Sequence, residues 1–162
     1  MRYDPPAFAQ LVIDHPGPSA LSPHPPSAAW VGILVAAPSV AYYRAGQPLH
    51  VPIAVTMQLE VPPRPVTERV SATLVDEATQ RLQREPIEPV QDNVAHTSDE
   101  DAQPVRPAAR PPGVQLVTAY LHPDLAAHFA LPAHPGRYRV VVHFRGHSSA
   151  PQVISVAPDP RP

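Results

Sequence analysis

The sequence predicts an all-β chain: one antiparallel sandwich of about seven strands over residues 29–158, preceded by a proline-rich arm over 1–28 and followed by a disordered tail over 159–162. Three observations carry that expectation. Proline supplies 26 of 162 residues, roughly 16% against a usual share of about 5%, and each interior proline removes a helix donor and clashes with the preceding turn. Two stretches, Leu49 to Glu60 and Tyr138 to Phe144, alternate apolar and polar residues with period two, as a strand with one buried face does. The chain is 43% hydrophobic, enough for a core, yet its longest apolar run, Ala28 to Ala37, is about half of a membrane-spanning helix.

Residues 1–28 carry Pro5, Pro6, Pro16, Pro18, Pro23, Pro25 and Pro26 around one apolar island, Phe8 to Ile13. Such a segment favours extended or polyproline geometry, either loose or laid along a sheet edge as an added strand. From Trp30 the character changes. Val31 to Val35 reads as a strand, Pro38 interrupts it, and Val40 to Tyr43 resumes before a turn at Gly46. In the long run that follows, Leu49, Val51, Ile53, Val55, Met57 and Leu59 form one face. His50, Ala54, Thr56 and Gln58 form the wetter one, with His50 solvated. Pro52 cannot donate to a ladder, so it marks an edge, a bulge or a late strand start.

Pro62, Pro63 and Pro65 end that run, and Glu68 to Asp76 gives the next strand. Glu77 to Arg84 contains helix formers but is closed by Pro86, so a short helix and a hairpin with a short strand are equally compatible. Residues 89–113 hold Asp92, Asp99, Glu100, Asp101 and four prolines from Pro104 to Pro112, with no aromatic side chain. Ordering each residue costs about 1–2 kcal/mol, and burial at about 25 cal/mol per Å² has little apolar surface there to offset it. A long flexible insertion is expected. Val114 to Leu121 is a further strand, Asp124 to Ala130 suits one or two helical turns capped by Asp124, and Gln152 to Ala157 is the last strand after a turn at Gly146. Val55, Ile53, Val140, Val142 and Trp30 are the expected core.

Tyr43-Arg44-Ala45-Gly46-Gln47-Pro48-Leu49, set before a long alternating strand, resembles the passage between the first two strands of bacterial immunoglobulin-like (fibronectin-III-like) domains. Leu131 to Val140, with Pro135-Gly136 ahead of Tyr138, resembles the approach to their penultimate strand, and His147 to Val156 their closing hairpin. The resemblance covers about residues 30–158. It implies that Tyr138 acts as a tyrosine corner, its hydroxyl bonded to upstream backbone beside the Gly136 turn. It implies architecture and no chemistry. The chain departs from antibody-type domains in having no cysteine pair and no tryptophan between such cysteines.

Absent cysteine excludes disulfides, thiolate metal sites and thiol catalysis. A net charge of −2 offers no general attraction for nucleic acid, and the scattered arginines do not form a phosphate-binding stretch. Neither nucleic acid nor membrane insertion is expected. The first dozen residues lack the apolar stretch of a secretory signal, so the expected compartment is the cytoplasm unless a leader has been removed. Ser148 and Ser149 lie beside His147, but no Gly-x-Ser-x-Gly elbow exists. Asp76-Glu77 falls in a turn, and no glycine-rich phosphate loop can be built between Gly46 and Gly113.

No catalytic group and no cofactor is therefore expected. The reading is a non-enzymatic module that binds another protein or itself through strand edges, the arm or the insertion, by strand addition. Tyr42 and Tyr43, neighbours on one strand and so pointing to opposite faces, are candidate contacts together with Phe8. The alternative is a metal-binding or carrier domain using His122, His128, His134, His143 and His147. It needs about three of them to converge, and a strand places His143 and His147 about 13 Å apart unless the Gly146 turn folds one back.

Overall fold

The computed structural model describes residues 5–63, 67–88 and 115–161; the insertion expected over 89–113 lies outside them. Two sheets are stacked. One has three antiparallel strands in the order β1 (Gly32–Ala36), β3 (Ala54–Glu60), β6 (Leu116–Leu121). The larger runs β2 (Val40–Tyr43), β9 (Gln152–Pro158), β7 (Gly136–Phe144), β4 (Ser71–Asp76), β5 (Leu82–Pro86), with β8 (His147–Ser148) also on β7. Every pairing is antiparallel except β2 with β9, which is parallel. Two helices are single turns, α1 (Pro5–Phe8) and α2 (Leu125–Phe129). Beyond the seven strands expected are β8 and β5, the latter resolving residues 77–84 as a hairpin.

Pro38 lies where the chain leaves the first sheet after β1 and joins the second as β2. The alternation in β7 places Tyr138, Val140 and Val142 inward, all buried, against Ile154 and Val156 of β9. From the other sheet Val51, Ile53, Val55, Met57 and Leu59 complete the core. The ladder of β3 starts two residues after Pro52, which makes only an isolated bridge to Asp124. Asp124 caps α2 as its position suggests, accepting from Ala126 N, and also takes the Val51 amide at 2.8 Å. Where β8 hands over to β9 the register slips by one residue. The Ser149 hydroxyl there replaces a carbonyl as acceptor for Val142 N at 2.9 Å.

Two expectations change. The second face of β3 is not wet, because Ala54, Thr56 and Gln58 are buried along with the first face. What covers it is the N-terminal arm, which is neither loose nor an added strand but lies across the outside of the three-stranded sheet. Phe8 packs with Ala36 and Ala54, and Gln58 Nε2 donates to the carbonyls of Ser27, Ala28 and Trp30 at 2.7–3.1 Å. Gly32 lets the Trp30 ring fold back over the backbone, since a Cβ there would stand 2.7 Å from it. The tyrosine corner is the second correction. The Tyr138 ring lies over Gly136, but among the described residues no hydrogen bond joins its hydroxyl to upstream backbone. Burial, and then the Asp76 carboxylate, push its pKa up.

Candidate functional site

A concavity of about 840 Å³ runs along the outer edge of β2. β2 ends the strand order of the larger sheet, so its outer edge has no paired strand among the described residues. Ser155 N donates to Ser39 O at 3.0 Å and Asp159 N to Tyr43 O at 2.9 Å. Alternation then turns the peptide groups of Ser39, Ala41 and Tyr43 toward β9, and those of Val40 and Tyr42 away from it. The groove is walled on one side by this edge and on the other by arm residues from Phe8 to Ile13, with Pro38, Pro48 and Pro52 between. Prolines suit such a wall: they present apolar surface and no competing donor.

One end of the groove is charged. Asp159 Oδ2 accepts from Arg44 Nε at 2.8 Å, and Oδ1 from Arg161 Nε at 3.1 Å. Hydrogen bonds from Arg161, then from Arg44, hold the Asp159 carboxyl well below the usual carboxylate range. Two guanidiniums around one carboxylate leave that end positive. Residues 159–161, expected as a loose tail, are thereby tied to β2. His50, also on the groove, is exposed as expected, but its Nδ1 sits 2.7 Å from Asp124 Oδ2.

Of the candidate contacts, Tyr42 is 43% exposed and on the groove, whereas Tyr43 packs partly against the core. Phe8 is buried at 1% exposure and serves packing; it is not a surface anchor.

The five histidines are dispersed. His122 is buried beneath the arm, its Nδ1 donating to His15 O at 2.8 Å, which fixes the tautomer so that Nε2 accepts from Ser22 Oγ at 3.3 Å. His128 is on α2, and His134 bonds the neighbouring Pro135 carbonyl. His143 lies on β7 between the hydroxyls of Thr73 and Ser148, each at 2.8 Å, while His147 starts β8. Among the described residues no three His, Cys, Asp or Glu side chains are placed to hold a metal ion. Ser148 meets His143, not the adjacent His147, and the far side of that ring meets a threonine where a triad has a carboxylate.

Arg44, Asp159 and Arg161 were missed by sequence reading. Arg44 and Asp159 are 115 positions apart, and no local pattern links them. No helix among the described residues is long and apolar enough to cross a membrane. Compared with family models, curated proteins and solved structures, the chain matches none.

Proposed function

We propose that the chain is an immunoglobulin-like module that works by binding, without catalysis, and that it takes up an extended segment of a partner protein along β2. The sheet orders, with the first long segment shared between both sheets and β2 parallel to the last strand, support the immunoglobulin-like part of this reading. The observation that carries the binding part is the open β2 edge. The outward peptide groups of Val40 and Tyr42 face a groove of about 840 Å³, and a strand added there gains main-chain hydrogen bonds while the groove selects side chains. A suitable segment is apolar along Val40 and Tyr42 and acidic where it reaches Arg44 and Arg161.

The test selects extended peptides from a random library on the wild-type protein and repeats the measurement on Val40→Pro. That variant removes one outward N–H, while the bonds to β9 run through Ser39, Ala41 and Tyr43. Binding is expected to slow amide exchange at Val40 and Tyr42, and Val40→Pro to weaken it by about ten-fold or more. Selected peptides that protect other amides, or that bind Val40→Pro equally well, would refute the assignment. Deleting the arm is no substitute, because that removes Phe8 from the core.

A further inference from the structure

A second open edge, on the other sheet, points to a different partner. In β6 the bond from Val61 N to Gln115 O, together with the antiparallel register, directs residues 115, 117, 119 and 121 toward β3. Leu116, Thr118 and Tyr120 therefore turn their N–H and C=O groups outward. The same series continues at His122, whose carbonyl accepts the amide of Asp14 from the arm at 3.0 Å. Among the described residues the arm thus uses this edge at one position and leaves the peptide groups of Leu116, Thr118 and Tyr120 open.

The side chains along that edge are unusual for a strand with no neighbour on its outer side among the described residues. From Leu116 to Leu121 there is no charge, proline or glycine, the devices that ordinarily block edge pairing. At the opposite end of the same sheet β1 is nearly all buried, and β5, an edge of the larger sheet, carries Arg84, Glu85 and Pro86. Val117 and Ala119 share a face with Leu59 and Met57, which are buried in the core. Yet Val117 is 51% exposed and Ala119 is exposed too. The core is open at this rim.

We infer that β6 pairs with β6 of a second copy of this chain, antiparallel about a two-fold axis through Thr118. The sequence is self-complementary in that register. Thr118 faces Thr118 of the copy, Leu116 faces Tyr120, and on the other face Val117 meets Ala119, so aliphatic–aromatic and aliphatic pairs flank a threonine pair. All six outward peptide groups on each chain find partners, and the two three-stranded sheets become one of six. The contact is one strand long, which puts it among small transient interfaces below about 1,200 Å², and the dimer dissociates on dilution.

The chain contains no cysteine, so a single introduced thiol reports the register. Residues directly opposite across a hydrogen-bonded pair are about 5.5 Å apart at Cα, within disulfide range. Thr118→Cys is expected to form a covalent dimer on mild oxidation much faster than Val117→Cys, which faces Ala119. Sedimentation velocity of the unmodified protein is expected to show concentration-dependent association. Ala119→Lys, at an exposed position, should weaken that association by about ten-fold or more with an unchanged circular dichroism spectrum. A wild-type protein that stays monomeric at millimolar concentration overturns the inference. So does an Ala119→Lys variant that associates as the wild type does, or equal crosslinking of the two cysteine variants.

Discussion

The two sheets differ in what covers their outer faces. Outside the three-stranded sheet lies the arm, so β3 is buried on both sides by apolar contact at Phe8 and by hydrogen bonds at Gln58 and His122. Outside the larger sheet there is no such layer among the described residues. Its outer face presents a row of Leu82, Val75, Arg139 and Val153 across four strands, with Leu82 63% and Val153 39% exposed. A sheet covered on both faces contributes more burial per residue but must satisfy every polar group it encloses; a bare face escapes that demand. The proline-rich arm is thus part of the folded domain.

The largest expected effect tests that contrast. Phe8→Ala removes a fully enclosed aromatic and should lower unfolding stability by about 3–5 kcal/mol in urea, whereas Val153→Ala on the bare face should stay within about 0.5 kcal/mol. Equal effects would mean that the arm is not a structural layer.

Next comes Gln58→Ala. It deprives the carbonyls of Ser27, Ala28 and Trp30 and the hydroxyl of Thr118 of their shared partner. Such loss should destabilise by about 1–3 kcal/mol, with a parallel rise in proteolytic cleavage between Ser27 and Trp30. A third substitution has the opposite sign. Thr56 Oγ1 is buried with no hydrogen-bond partner among the described residues, so Thr56→Val should stabilise by about 1 kcal/mol; a loss of that size would show that the hydroxyl is satisfied.

The smallest effect belongs to the bare sheet and is read in pH. Burial, and then the charge of Arg84, lower the His143 pKa from the ordinary histidine value. The folded state then prefers the neutral ring, and the unfolded state binds more protons just below the ordinary value of about 6.5. This contribution is present above that value and is lost as pH falls through the lowered folded value. His143→Gln should flatten the stability profile there by a measurable margin in thermal melts. An unchanged slope would place the acid sensitivity elsewhere.

How much of this was legible depended on whether a residue's environment is set locally. The alternation of Leu49 to Leu59 revealed one face of β3 because its aliphatic side chains have a single favourable destination. Ala54, Thr56 and Gln58 are small or polar, and in one sequence they look the same whether water or another segment lies above them. Proline in the arm suggested extended backbone, yet the arm opens on the helical turn α1 and continues through turns, and its docking depends on Phe8 and on a glutamine lying 28–31 positions away from the carbonyls it binds. Histidine count suggested a metal centre, and here the topology decided against convergence, spreading the five rings over β7, β8, α2 and two connections. The groove was illegible for the same reason: its charged end joins Arg44 to Asp159 across 115 positions.

The arm's anchorage at His122 also sets an order of events in time. Ser22 meets that ring across 100 residues of sequence and the His15 carbonyl across 107, so the arm's seat on the ring is completed only after residue 122 has been made. At about 5–20 residues per second of synthesis, roughly 5–20 seconds separate the making of His15 from that of His122. Contacts of such long range slow folding in general, and a chaperone that grips the unseated arm of the nascent polypeptide would act on this interval.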